Sequence, residues 1–294
     1  MSLTFIFMNI FHFPSNAIND VKPIFFNLLK DKYSSSELHT IFNRIVEHFN
    51  YSPTDPRIRF QQSELILITK FIQELQSGKP LAYILGYTYF YKWKFFVNEA
   101  VLIPRPETEE LVYNAEQIIR KKFSPKDSIK ILDVGTGSGC IAISIQKLFP
   151  NAEVWAIDVC REALQVAQKN ADWHQVSIHF EEMDILHTAP HSSFDCILSN
   201  PPYIPIKDKE SIDRQVKDFE PHIALFSKSA TEFYERVFQL ALDCLNPNGF
   251  LLLELNQYYA DEILTISQKY PYLTNTHLLT DWSNHHRFFF AEKI

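Results

Sequence analysis

Glycine is scarce in this chain, with six residues in 294, yet three of the six stand within five positions at Gly135, Gly137 and Gly139. So little glycine excludes a collagen-like or glycine-rich low-complexity architecture. Cysteine is sparser still: Cys140, Cys160, Cys196 and Cys244 lie 20, 36 and 48 residues apart. No close pair suggests a zinc site or a redox motif, so four reduced, mostly buried thiols are expected. Long hydrophobic runs are missing as well, and no window approaches the roughly 18 uninterrupted apolar residues of a membrane span. Met1 to Phe13 is apolar but lacks the basic n-region and small-residue cleavage site of a secretory signal. It reads as a loose or docked N-terminus of a cytosolic protein. Positive charge is in deficit: 28 Lys and Arg stand against 35 Asp and Glu. The first 100 residues hold 10 basic and 8 acidic side chains, which leaves 18 against 27 in the remainder. A duplex-binding protein usually carries a net basic face, so nucleic acid is disfavoured as a partner.

What is present is the profile of a folded protein, at 46% apolar, 21% charged and 14% aromatic residues. Single cores stop growing near about 250 to 300 residues, so two domains are expected. From Asp20 to Gln76 apolar residues recur at helical spacing, as in Leu38, Ile41, Phe42, Ile45, Val46 and Phe49, then Leu65, Ile68, Phe71, Ile72 and Leu75. Pro53 and Pro56 separate two helices, and Ser77-Gly78-Lys79-Pro80 is a stop signal. Residues 1–79 are therefore expected to form a small helical domain. Residues 80–106 are aromatic and β-prone, from Tyr83 to Val97, and fit a linking β-hairpin whose aromatics serve either packing or a ligand surface. Residues 107–294 alternate strand with helix: Ile129–Val134, Glu153–Val159, Ser177–Asp184, Phe194–Ser199 and Phe250–Leu255 read as strands. That alternation predicts an α/β domain with a mostly parallel sheet covered on both faces.

The glycine cluster sits in Asp133-Val134-Gly135-Thr136-Gly137-Ser138-Gly139, between the strand ending at Val134 and the helical run Ile141–Leu148. Glycine lets a backbone turn sharply and lie against a ligand with no Cβ in the way. The order G-x-G-x-G differs from the dinucleotide fingerprint G-x-G-x-x-G, and no phosphate-gripping Lys follows. The next strand ends in Ile157-Asp158, where a carboxylate can accept from two ribose hydroxyls. The third ends in Met183-Asp184, where an acid can meet an adenine amino group. This series resembles the class I S-adenosylmethionine-dependent methyltransferases, with their Rossmann-like, mostly parallel seven-stranded sheet. The resemblance implies S-adenosylmethionine as cofactor, held by the Asp133–Gly139 turn, with Thr136 and Ser138 between the glycines. It further implies Asp158 for ribose and Asp184 with Ile185 for adenine.

Strand Phe194–Ser199 runs into Asn200-Pro201-Pro202-Tyr203 at the carboxyl edge of the sheet, where open α/β folds bind ligands. An amide or aromatic amino nitrogen is a poor nucleophile because its lone pair is delocalised. Two acceptors aimed at its N–H bonds, the Asn200 side-chain oxygen and the Pro201 carbonyl, can hold it and favour the positive charge that develops. Two prolines keep that carbonyl rigid, and Tyr203 can lie flat on a planar substrate group. Asn200 thereby borders cofactor and substrate alike.

Asn-Pro-Pro-Tyr is shared by methyltransferases of adenine amines and of glutamine amides. Leu102-Ile103-Pro104-Arg105-Pro106-Glu107-Thr108-Glu109 resembles the interdomain segment of the HemK/PrmC family, the release factor glutamine N5-methyltransferases. Gly78–Gly86, Phe219-Glu220-Pro221 and Asn248–Leu255 are similar to further segments of that family. The resemblance implies a helical domain that helps dock the substrate, and the Gly-Gly-Gln glutamine of class 1 peptide chain release factors as methyl acceptor. It also implies a cytoplasmic monomer, while the charge, the short apolar runs and the Cys and His spacing predict no nucleic-acid, membrane or metal partner. An adenine N6-methyltransferase acting on DNA or RNA is the alternative. Arg105 and Glu107 either order the interdomain loop over the cofactor or form a surface ion pair. Two family glycines are missing, after Glu254 and within Asp281–Arg287. His285 and His286 lack ligand partners at recognisable spacing and read as an exposed turn.

Overall fold

The periodicity between Asp20 and Gln76 becomes three helices in the computed structural model, which describes residues 13–125 and 127–294; the reading of residues 1–12 lies outside them. They are α1 (Ile18–Leu29), α2 (Ser35–His48) and α3 (Gln62–Ser77). Helix α2 starts where the Ser34 hydroxyl accepts from the Glu37 amide and the Glu37 carboxylate accepts from the Ser34 amide, which satisfies two orphan donors together. Helix α3 ends at Gly78, whose φ of 96° is a left-handed cap that a Cβ would disfavour. Leu38, Phe42, Ile45, Ile68, Ile72 and Leu75 are all buried, so the helical stripe is the core of this unit. A short helix, α4 (Leu81–Leu85), completes it, and a second compact unit begins at Gly86.

The second unit opens with the hairpin β1 (Tyr87–Phe90) and β2 (Trp93–Phe96), in which Phe90 faces Trp93 across the turn. Most of its aromatic run is packing: Phe90 and Phe95 are buried, while Tyr89 is exposed. Next come α5 (Pro106–Lys122), β3 (Lys130–Val134), α6 (Cys140–Leu148), β4 (Glu153–Asp158), α7 (Arg161–His174), β5 (His179–Glu182) and β6 (Phe194–Ser199). A two-residue parallel pair, β7 (Ile204–Pro205) with β8 (Phe226–Ser227), brackets α8 (Arg214–Phe219) and α9 (His222–Leu225). The chain then forms α10 (Glu232–Cys244), β9 (Leu245–Glu254), α11 (Ala260–Ser267), β10 (Leu273–Thr280) and β11 (His286–Lys293). The large sheet has the order β10-β11-β9-β6-β3-β4-β5. Every pairing in it is parallel except those of β11, which runs antiparallel to both neighbours.

Successive residues of a strand point to opposite faces, and here both faces are covered. Ile131, Leu198 and Leu252 pack with α5 and α6 on one side, while Leu132, Ile197 and Leu251 pack with α10 on the other. This is why the inner strands read as continuous apolar runs rather than alternating ones. Among the described residues no helix is long and apolar enough to cross a membrane. Cys140, Cys196 and Cys244 are buried and Cys160 is half-buried, all as free thiols.

The two missing family glycines have local explanations. Asn284 occupies the left-handed region at φ 62°, which asparagine tolerates better than most residues, so the β10–β11 turn closes without glycine. Asp281 holds that turn: Oδ1 accepts from the Ser283 and His285 amides, and Oδ2 accepts from Arg287 Nε. After Glu254, Asn256 has φ −74° and needs no glycine, and its side chain accepts from the Tyr258 amide. His285 and His286 are both exposed, His285 in the turn and His286 at the first position of β11.

Candidate active site

A cleft of ≈ 1160 Å³, counted with the solvent at its open mouth, lies over the carboxyl ends of β3, β4 and β6, the edge at which open parallel sheets present their loops. Gly135, Thr136, Gly137 and Ser138 line it, with Asp158, Asp184, Ile185, Asn200, Pro201 and Pro202. Residues far apart in the chain thus meet because parallel strands all end on the same side. A smaller hollow of ≈ 410 Å³ adjoins it, sharing Leu102, Arg105, Asn200, Pro201 and Ala224 and adding Tyr203, Ile204, Val216 and Leu225. Asn200 and Pro201 form part of the wall of both.

Gly135 and Gly137 adopt φ of 72° and 56°, and a Cβ built on either meets nothing within 4 Å. Both line the cleft, so a bare backbone borders open space there. Gly139 differs: its missing Cβ would stand 3.0 Å from Ile143 and 3.2 Å from Ala167. It lies outside the cleft lining, where its role is close packing of α6 against α7. Asp133 is likewise behind the turn, fully buried, with Oδ2 accepting from Thr136 Oγ1 at 2.6 Å and from the Ala142 amide at 3.2 Å. It staples the glycine turn to α6. Burial drives its carboxyl up to about 7, against the two hydrogen bonds that favour the ionised form.

Asp158 reaches the turn from β4. Its Oδ2 accepts from the Gly137 amide at 2.8 Å and its Oδ1 from the Cys160 amide at 2.9 Å. Desolvation still raises its pKa. Each carboxylate oxygen retains a further lone-pair site, so these contacts orient the group and leave acceptor capacity toward the cleft. Asp184 Oδ1 accepts from the Leu186 amide, which turns the chain after β5 and brings Ile185 to the cleft wall.

Several residues of the site have no role in the sequence reading. Thr108, on the first turn of α5, accepts from Asn200 Nδ2 at 2.9 Å and donates to Glu254 Oε2 at 2.8 Å. The other Glu254 oxygen accepts from the Tyr203 hydroxyl at 3.3 Å. Glu254 is 1% exposed, and burial lifts its carboxyl to about 7. Tyr203 is pushed upward by the same desolvation and by the neighbouring carboxylate. Arg105 pairs with Glu220, 115 positions away, at 2.7 Å, and this buried carboxylate also accepts from the Ile103 amide. The partner of Arg105 is therefore Glu220 rather than Glu107. A sequence signal exists for Glu254, a lone acid closing an apolar strand, because such residues are almost never buried without a partner. The partners are set by tertiary contact and are invisible locally.

Asn170 on α7 is another such residue. It is fully buried, donates to the Phe96 and Ser138 carbonyls, and accepts from the Phe96 amide. One side chain thus continues the pairing of β2 and holds the glycine turn. Asn170→Ala should lower stability by roughly 2–4 kcal/mol, since three backbone groups lose their partner in a dry interior; urea unfolding with an unchanged m-value measures it.

A seven-stranded sheet with one reversed strand, bearing a glycine cradle and two strand-end acids over a carboxyl-edge cleft, defines a class I methyltransferase. The bare backbone of Gly135 and Gly137, the strand-end acids and the apolar Ile157 and Ile185 fit the methionine, ribose and adenine parts of S-adenosylmethionine. Residues 110–218 match the family described as methyltransferase small domain. The chain is 40% identical to the release factor glutamine methyltransferase of Flavobacterium psychrophilum, over 88% of this chain and 93% of that one. It is 39% identical to that of Lactococcus lactis over 72% and 77% of the two chains. With that of Rhodopirellula baltica it shares 33% identity over 87% and 83%. The protein belongs to the release factor glutamine methyltransferase family.

Proposed function

We propose that this protein methylates the side-chain amide nitrogen of the glutamine in the Gly-Gly-Gln motif of class 1 peptide chain release factors, acting as a cytoplasmic monomer. The observation that carries this reading is the position of Asn200 and Pro201 in the wall shared by the large cleft and the small hollow. In this reading the large cleft holds S-adenosylmethionine: the backbone of residues 135–138 borders the methionine part, Asp158 accepts from the ribose, and Asp184 with Ile185 borders the adenine. When bound, the cofactor supplies a methyl group activated on a sulfonium centre. The small hollow takes the glutamine. Leu102, Ile204, Val216 and Leu225 suit its aliphatic stem, and Asn200 and Pro201 receive its amide at the junction.

The chain's own residues then do two things. Asn200 Oδ1 and the Pro201 carbonyl accept from the two amide N–H bonds, which fixes the nitrogen and favours the positive charge it gains. The apolar walls exclude water and keep the nitrogen aligned with the cleft, and such positioning supplies roughly 7–11 kcal/mol of the barrier. No side chain is needed as a general base, because the product nitrogen is acidic enough once methylated to lose its proton to water. The net negative charge supports a protein substrate over a nucleic acid.

Incubating the protein and S-adenosylmethionine with unmethylated release factor, and in parallel with adenine-containing RNA and DNA, tests the reading by mass spectrometry. One added methyl group on the Gly-Gly-Gln glutamine is the expected outcome. Methylated adenine beside an untouched release factor would overturn it.

A further inference from the structure

We infer that Thr108 and Glu254 are positioning residues that set which end of the Asn200 amide faces the substrate. The inference rests on the role proposed above for Asn200.

The polarity follows from counting hydrogens. An ionised carboxylate can only accept, and a threonine hydroxyl has one hydrogen to give. Thr108 gives it to Glu254 Oε2 at 2.8 Å, so toward Asn200 its oxygen is an acceptor. The group at 2.9 Å from it is accordingly the Asn200 NH₂ end. Oδ1 is the end left over, and among the described residues it accepts from no protein group. The amide is presented to the hollow as an acceptor, the polarity that a substrate N–H requires. Were Asn200 turned over, it would offer a donor to a donor. Tyr203 adds a second hydrogen to Glu254, which holds the carboxylate in place from its other oxygen.

The carboxylate is the origin of this order, so its protonation removes what fixes it. A neutral Glu254 can donate to Thr108, which can then donate to Asn200 and turn the amide around. Charged and titratable groups surround Glu254 on every side: Glu107 from α5, Cys140 at the start of α6, Tyr203 after β6, Tyr234 from α10 and Arg287 from β11. Burial and Glu107 raise its pKa, whereas the hydroxyls and Arg287 lower it, with a balance near 7. Activity should therefore fall as pH drops through this region and be retained above it.

Two variants of Thr108 separate positioning from packing. Thr108→Val keeps the shape and removes the hydroxyl, while Thr108→Ser keeps the hydroxyl. In the full-length protein, the Asn200 side-chain amide cross-peak, assigned by its loss in Asn200→Ala, reports the bond to Thr108 directly. In Thr108→Val that amide should exchange with water much faster, and kcat on release factor should fall roughly 30-fold, short of the 100-fold that a 1 Å misplacement costs. KM for release factor and affinity for S-adenosylmethionine should stay near the parent's. Thr108→Ser should restore both amide protection and kcat, and Glu254→Gln should flatten the acid limb of the pH profile at a reduced rate. Unchanged amide exchange in Thr108→Val, a Thr108→Ser variant as slow as Thr108→Val, or an acid limb of kcat at saturating S-adenosylmethionine that persists in Glu254→Gln would overturn the inference. If the parent leaves release factor unmethylated, the proposed function fails, and amide exchange still decides the hydrogen-bond order by itself.

Discussion

Asn200→Ala should reduce methyl transfer to release factor by about 10³-fold, the upper end of what losing one preorganised polar contact to a developing charge costs. Affinity for S-adenosylmethionine should change little, because the glycine turn, Asp158 and the apolar wall of the cleft are untouched. Single-turnover kinetics and calorimetric titration of the cofactor read the two quantities separately. Equal losses in both would show that Asn200 holds the cleft together rather than the substrate amide. Asn200→Asp is a sharper version of the same test. It keeps an acceptor of the same shape but faces Thr108 with a second carboxylate, and one hydroxyl hydrogen cannot serve both the introduced carboxylate and Glu254. Its activity should be low at neutral pH although the wild-type shape is preserved.

Asp158→Ala should act on the other half of the reaction. It removes the acceptor for the Gly137 and Cys160 amides, so the turn loses an anchor, and under the proposed function the ribose loses its partner as well. A charge-assisted hydrogen bond contributes about 1.5–3 kcal/mol, and at about 1.4 kcal/mol per tenfold the cofactor Kd should rise roughly 10- to 100-fold. At saturating cofactor kcat should recover much of the parent value, the reverse of the Asn200→Ala pattern. Desolvation raises the Asp158 pKa, so acidification should weaken cofactor binding at a higher pH than it would for an exposed aspartate. A Kd within several-fold of the parent's would remove Asp158 from the cofactor site.

The sheet is legible where one strand carries its own signal. Phe194–Ser199 coincides with β6, because its apolar run ends abruptly at Asn200-Pro201. The pattern Ser177–Asp184 is too long, since only His179–Glu182 pairs with β4. The apolar run puts the start of the last parallel strand at Phe250, yet β9 begins at Leu245. Asn246-Pro247-Asn248-Gly249 has turn chemistry, with Asn248 at φ 63°, and it forms an irregularity between the pairs Phe194–Leu245 and Cys196–Phe250. The local signal is sound and the tertiary pairing continues past it. The reversed strand β11, by contrast, lies between β9 and β10, and nothing in its own residues reveals that insertion.

For the site, the glycine turn and Asn-Pro-Pro-Tyr stand out because backbone conformation there demands particular residues. What escapes are partnerships: Thr108 with Glu254 across 146 positions, Arg105 with Glu220 across 115, and Asn170 with Phe96 across 74. Threonine on a helix and asparagine in a helix have no local pattern that names a partner. Only folding tells such residues apart from their solvated counterparts.

The Asn200–Thr108–Glu254–Tyr203 chain of bonds joins three distant stretches of polypeptide: the start of α5, the loop after β6 and the end of β9. Contacts of such long sequence separation close late when a polypeptide folds, because loop entropy must be overcome before they contribute. During refolding, helix content and even an organised glycine turn should thus return before catalysis does. Recovered turnover then reports the closing of these long-range bonds, and a sample that binds cofactor can still be one in which Thr108 and Glu254 have not yet met.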